Sequence, residues 1–303
     1  REGLEKPTTP MKTITFYFIL LCLVSNYNSK IPSASNCQPR NFAEIKALFQ
    51  HNPQRAAPFI MAHRGGPAPG FPENCLATFA STLAAVSCPL IEFDVRMSKD
   101  SVLVLSHDDA LEHGSNGQGL LSQSTWSTLK KLKLKDETGQ ITLHRMPTFS
   151  SALKFLAKKS AILIIDNKPG TPLDKVLAAI THAKVAHRSV LICYSLKDAE
   201  YVYQHKPDLM LALGFNQEAQ IAAIEHSSIP KDQLVALTPR EIQSPAYYQR
   251  IHQLGISCSL GTNGNIDTLP STQSKMMYLE RFRAGADIIC TDHPEQVAKM
   301  FVQ

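Results

Sequence analysis

Four short stretches concentrate side chains that can move protons or hold ions. His63-Arg64-Gly65-Gly66 offers an imidazole and a guanidinium, and His107-Asp108 follows the apolar run Val102 to Leu105. Glu92 and Asp94 stand two apart within Leu90 to Val95, and Asp166 and Lys168 repeat that spacing. In an extended strand residues two apart share a face, so Glu92 and Asp94 project together while Ile91 and Phe93 take the other side. Three carboxylates meeting in a low-dielectric site repel one another unless a cation neutralises them. An all-oxygen donor set selects a hard divalent ion, Ca²⁺, Mg²⁺ or Mn²⁺, over zinc. Such an ion makes a place for a phosphate, for which Arg64 and Lys168 are charge-assisted donors. His63 and His107 can exchange protons near neutral pH. Together these groups describe metal-assisted phosphodiester cleavage, with Glu92, Asp94 and Asp166 as candidate ligands. Taken singly they are ambiguous, since a lone strand-end histidine or one E-x-D is more often structural. The remaining histidines, His51, His113 and His252 among them, have no comparable context and read as surface or structural.

The elements that must position these residues repeat along the chain. Strand-like runs occur at Phe59 to Met61, Leu90 to Val95, Ile162 to Asp166, Val190 to Cys193, Leu209 to Leu213, Leu234 to Leu237, Ile256 to Leu260 and Asp287 to Cys290. Stretches of helical periodicity separate most of them, such as Thr78 to Val86, Leu173 to Val185 and Met276 to Phe282. Eight such repeats over about 245 residues predict a TIM-type (β/α)₈ barrel. An open doubly wound sheet is the alternative, but no Gly-rich dinucleotide fingerprint follows the first strand. Active sites of this barrel lie at the C-terminal ends of the strands, where three of the stretches fall, while His107-Asp108 lies on the long connection described next. Ser98 to Ser160 forms a connection of about sixty residues between the second and third strands, a long insertion of the kind that is usually functional.

Composition sets the outer limits. The chain has 303 residues, 44% hydrophobic and 19% charged, which excludes disorder and small disulfide-stapled scaffolds. A formal charge of +5 suits an anionic small substrate and is too weak to argue for nucleic acid. Residues 1–10 precede Met11 and are read as upstream of the start. Lys12 followed by the apolar Ile14 to Val24 has the form of a signal peptide. As a helix that stretch would span ~16 Å, too short to cross the ~30 Å hydrocarbon core of a bilayer. The expected organisation is therefore upstream residues and signal peptide over 1–36 and one barrel domain over 37–303, secreted or periplasmic, with no stable membrane span after cleavage. Of seven cysteines, Cys22 falls in the signal. Cys75 and Cys88 bracket a predicted helix ~20 Å long and cannot bridge. Cys193, Cys258 and Cys290 sit in apolar runs as core residues, so no disulfide framework is expected.

The motifs resemble those of the glycerophosphodiester phosphodiesterase family. The similar stretches, in order, are Ala62 to Gly66, Pro72-Glu73-Asn74 with Thr78-Phe79, Glu92 to Val95, His107 to Leu111, Gly117-Gln118-Gly119, Met146-Pro147-Thr148, Asp166-Asn167-Lys168, and Ala284 to Asp287 leading to Thr291-Asp292-His293-Pro294. The resemblance implies a barrel that hydrolyses a glycerophosphodiester to glycerol 3-phosphate and an alcohol, through a cyclic phosphate. It makes His63 and His107 the general acid/base pair, Glu92, Asp94 and Asp166 the ligands of Ca²⁺ or Mg²⁺, and Arg64 and Lys168 the phosphate clamp. Glu73 is placed beside the site, orienting Arg64 or a substrate hydroxyl.

Three positions depart from the family pattern. Asp166 stands where the family usually has Glu, one methylene longer. His113 stands near a usual Arg. The seventh strand carries Ser257 to Asn263 without the usual Trp; Trp126, the single tryptophan, lies in the insertion instead. Two alternatives stay open on the residues alone: a related barrel phospholipase acting on intact lipid, and a barrel that binds phosphodiesters without turning them over.

Overall fold

The computed structural model describes residues 2–3, 38–269 and 271–301. Strand β1 (Phe59–Ala62) pairs in parallel with β2 (Leu90–Met97), and helix Leu76–Ala85 connects them. Strand β3 (Leu103–Leu105) turns back antiparallel on the end of β2, and β4 (Lys133–Lys135) with β5 (Ile141–Arg145) forms a separate hairpin. The parallel sheet resumes with β6 (Ile162–Asn167), β7 (Ser189–Cys193), β8 (Met210–Gly214), β9 (Leu234–Thr238), β10 (Ser257–Gly261) and β11 (Ile288–Thr291). Because β11 pairs with β1, the eight parallel strands close into a barrel. Helices lie between successive strands, as the sequence periodicity predicts. Each of the eight predicted strands is found, with shifts of one or two residues at its ends.

Strand alternation sorts the apolar residues into two shells. Leu90, Ile162, Ile164, Val190, Met210 and Val235 fill the interior, whereas Ile91, Phe93, Leu163, Ile165 and Leu211 pack outward against the helices. Glu92 and Asp94 have the parity of Leu90, and Asp166 has that of Ile162 and Ile164. The inward row therefore changes from aliphatic to acidic towards the C-terminal mouth. Helix α1 (Phe42–Phe49) plugs the opposite end, burying Ile45 and Phe49 against the interior shell.

A second polar cluster sits at that plugged end. The buried Asp287 carboxylate accepts hydrogen bonds from His51 Nδ1 and His252 Nε2, each at 2.9 Å, and from the Cys258 amide at 2.8 Å. The two imidazoles stack 3.5 Å apart, 8° from parallel. In-plane lone pairs of parallel rings cannot converge on one ion, so each ring serves its own carboxylate oxygen and the cluster ties α1 to the barrel floor. Burial pushes the Asp287 carboxyl up, but the bonds from His252 and the Cys258 amide outweigh it and hold it below the ordinary range. A carboxyl depressed in the fold stabilises above its unfolded pKa, and that contribution is lost as pH falls through the depressed value. Asp287→Ala is expected to cost about 3–5 kcal/mol at neutral pH, because two imidazoles and an amide lose their acceptor. Urea unfolding followed by circular dichroism should show this deficit narrowing in acid; a deficit independent of pH would refute the account.

The insertion carries its own small core of Leu111, Leu121, Leu129, Leu134 and Met146, with Trp126 against it. One expectation needs correction. Cys88 is disulfide-bonded, whereas Cys75, Cys193, Cys258 and Cys290 are free thiols. The apolar surroundings of the free cysteines account for those four, but Cys88 ends a turn at positive φ (62°) beyond helix Leu76–Ala85 and was not distinguishable from them by spacing. The predicted signal segment lies outside the described residues.

Candidate active site

The mouth of the barrel is built first by backbone. After β1 the chain passes through three left-handed residues, Arg64 (φ 49°), Gly65 (φ 86°) and Gly66 (φ 82°), which turn His63 and Arg64 back over the strand ends. Gly65 is required twice over: its φ is unfavourable for side chains, and a Cβ there would lie 2.4 Å from the Phe79 ring. The Arg64 amide donates to Glu92 Oε2 at 2.6 Å. The Asn74 amide donates to the Arg64 carbonyl at 2.9 Å, and its side chain brackets Asp94, donating to Oδ2 at 2.7 Å and accepting from the Asp94 amide at 2.9 Å. Pro72-Glu73-Asn74 is thus a brace between the first two strand ends.

Parallel register places the acids together. Asp94 lies directly opposite Asp166 on adjacent strands, and Glu92 sits one inward step below. Ligand oxygens of Glu92, Asp94 and Asp166 all lie within 4.8 Å of one another, and all three residues are buried. Lys168 Nζ bridges two of them, 2.8 Å from Asp94 Oδ1 and 2.7 Å from Asp166 Oδ2. Arg64 pairs with Glu73 at 2.6 Å and approaches Asp94 at 3.9 Å. Four carboxylates therefore face two fixed cations, and the deficit appears in the protonation equilibria. Burial and the charges of Asp94 and Asp166 push the Glu92 carboxyl well above its usual range. Burial likewise raises Asp166, although Lys168 opposes it. Asp94, equally buried, is held low by Lys168 and by its bond from Asn74. Lys168 in turn is raised: burial opposes its charge, but Asp94 and Asp166 more than offset that. A hard divalent cation fits this set, supplying the missing charge to clustered oxygen donors.

Both sequence-predicted histidines reach the same mouth. His63 follows β1, which pairs with β2, and His107 follows β3, whose Leu105 is opposite Val95 at the end of β2. Each imidazole has a carboxylate on Nδ1: Asp292 Oδ1 at 2.7 Å for His63, and Asp108 Oδ1 at 3.0 Å for His107. A carboxylate only accepts, so Nδ1 carries the hydrogen and the basic lone pair of each neutral ring is left on Nε2. The Asn263 side-chain amide stands 3.5 Å from His63 Nε2. His113, read as uninvolved, shares Asp108 with His107 through Nδ1 at 3.0 Å. A cavity of about 310 Å³ opens from Arg64 and Glu73 towards Asp108, His113 and the β4–β5 turn.

All eight residues singled out in the sequence are gathered at this one end. Several of their partners were missed. Asp292 belongs to a stretch quoted above but had no role, because its contact with His63 spans 229 residues and needs barrel closure. Tyr194 donates to Asp166 Oδ1 at 2.9 Å and lies 3.4 Å from Lys168 Nζ. Burial and the Asp166 charge push its phenol up to about 12. The available signal was its position one residue beyond the end of β7, where this barrel type keeps its chemistry.

The profile of the glycerophosphoryl diester phosphodiesterase family matches residues 63–296. A glycerophosphodiester phosphodiesterase from Caldanaerobacter subterraneus subsp. tengcongensis is 26% identical over 251 residues, covering 80% of this chain and 96% of the relative. The crystal structure of a glycerophosphoryl diester phosphodiesterase from Parabacteroides distasonis is 32% identical with a TM-score of 0.81, over 87% of this chain and 92% of that one. A phosphodiesterase from Oleispira antarctica, solved in complex with the product sn-glycerol-3-phosphate, shares the fold at 18% identity and a TM-score of 0.62, over 80% and 96% of the two chains. The gathered residues, the closed parallel barrel and the match across most of the chain lead to one conclusion: the protein belongs to the glycerophosphoryl diester phosphodiesterase family and is a phosphoric diester hydrolase.

Proposed function

We propose that this chain hydrolyses water-soluble glycerophosphodiesters to glycerol 3-phosphate and an alcohol, using a divalent cation held by Glu92, Asp94 and Asp166. The observation that carries the reading is the juxtaposition of that buried acidic triad with two carboxylate-backed imidazoles at one barrel mouth. When bound, the cation neutralises the triad and withdraws charge from the phosphoryl oxygens. Arg64 and Lys168 hold the diester's anionic oxygens, and Glu73 aims the Arg64 guanidinium. One Nε2 accepts the proton of the substrate's neighbouring glycerol hydroxyl as that oxygen attacks phosphorus; the other Nε2 protonates the departing alcohol. The resulting cyclic phosphate is opened by water with the two roles exchanged. Asp292 and Asp108 hold the Nδ1–H of both rings, so that the base accepts through a free Nε2, and both stabilise the imidazolium, the form in which the acid starts and the base ends. The glycerol 3-phosphate product is the one held by the Oleispira antarctica relative.

The decisive assay follows glycerol 3-phosphate release from glycerophosphocholine and glycerophosphoethanolamine, with Mg²⁺, with Ca²⁺ and with chelator. Release with at least one ion and its abolition by chelation are expected. Absence of release with either ion would leave a barrel that binds without turnover, and equal release in chelator would remove the cation from the mechanism. We also propose export of the mature chain. The Cys88 disulfide supports this, since such bonds persist in oxidising compartments.

A further inference from the structure

The β4–β5 hairpin has two unlike faces. Leu134 points into the core of the insertion and is buried. Lys133 and Lys135, on either side of it, therefore point away. Their cross-strand partners are Arg145 and Ile141, and Leu143 lies between those two on the same face. This outward face carries Ile141 at 56% exposure and Leu143 at 84%, the highest among the large hydrophobic side chains described. Exposed Lys130 and Lys131 precede β4 and continue the cationic border. None of these five cations forms a direct ion pair among the described residues; Lys135 and Arg145 donate to backbone carbonyls, and the charge of Lys135 is partly offset by the nearby Glu112 carboxylate. Lysines on a two-stranded edge can serve merely to block strand pairing. That role gives no reason to set two aliphatic side chains in water among them.

We propose that this face docks on an anionic lipid surface. Two exposed aliphatics with Lys133 and Arg145 on their face and Lys130 and Lys131 just before β4 provide shallow apolar insertion together with attraction to negative headgroups, the acidic Asp136-Glu137 turn lying at the other end of the hairpin. A stable protein partner needs roughly 800 Å² per side, more than one face of so short a hairpin offers. The turn of the same hairpin, with Lys135, lines the cavity that opens from Arg64 and Glu73, so docking holds the catalytic mouth beside the lipid surface. The chemistry of the site is unaffected by whether the face binds.

Co-sedimentation with phosphatidylcholine vesicles, and with phosphatidylcholine vesicles containing about one third phosphatidylglycerol, tests this. Salt-reversible partitioning onto the second kind alone is expected. Leu143→Asp should reduce it roughly tenfold or more, and Lys131→Gln and Lys133→Gln about fivefold each. All three should keep the wild-type melting temperature, because the altered side chains pack against nothing in the core. Failure to bind the anionic vesicles, equal binding to both, or binding unchanged by Leu143→Asp would each overturn the proposal. Binding of polyglutamate with both vesicle types ignored would do so as well, assigning the face to an acidic polypeptide.

Discussion

Turnover of the His63→Ala variant is expected to fall at least about 10²-fold at neutral pH, the scale of losing a positioned general acid or base. The structure leaves no substitute for it. The other acid/base candidate, His107, is committed to its own carboxylate, and Asn263, the group nearest His63 Nε2, is an amide that cannot take a proton at this pH. The companion variant Asp292→Asn isolates how the ring is held. Asparagine can present its amide to Nδ1, which then becomes the acceptor and places the hydrogen on Nε2, the wrong tautomer for a base. Since Asp292 is placed behind the ring and not on the substrate, kcat should drop while KM stays near the wild-type value. Steady-state kinetics on glycerophosphocholine separate the two parameters. A His63→Ala enzyme with unchanged kcat would withdraw the acid/base assignment; a KM effect alone for Asp292→Asn would make it a binding residue.

The second large effect is expected at Glu92, and it has opposite signs for activity and stability. Glu92→Gln removes one of the three charges proposed to hold the cation and should lower turnover roughly 10³-fold, about 4 kcal/mol of transition-state stabilisation. The same change relieves a buried carboxylate crowded by Asp94 and Asp166, whose ionisation the fold resists. A carboxyl raised in the fold binds its proton more tightly there than when unfolded. Without cation, stability therefore falls as pH rises from the ordinary carboxylate range towards the raised value. In chelator at neutral pH the Glu92→Gln protein should thus melt at or above the wild-type temperature, with the amide still able to accept from the Arg64 N–H. Adding Mg²⁺ or Ca²⁺ should raise the wild-type melting temperature, by about 2.7 kcal/mol of stability at a hundredfold excess over Kd, and move the variant far less. A variant that is active, or one that unfolds in chelator, would show Glu92 to be a structural acid.

Much of this was legible because it depends on local periodicity. Alternation put Glu92 and Asp94 on one face and told the inward row from the outward one, and it does so in any sheet. His63-Arg64-Gly65-Gly66 was legible as the polar end of the first apolar strand. Even the insertion was visible as a connection too long for a barrel. What alternation cannot supply is the identity of residues that meet across the closure. The Asp292–His63 pair exists because β11 hydrogen-bonds to β1, and Asp287 gathers His51 and His252 because α1 folds under the floor. Tyr194 reaches Asp166 only across neighbouring strands. Local pattern along the chain specified the elements, their faces and the chemical types at the mouth. Which carboxylate stands behind which imidazole, and which cations frame the exposed Ile141 and Leu143, was decided by tertiary packing, because partners drawn from remote segments are selected by the geometry of a closed sheet and leave no periodic trace along the chain.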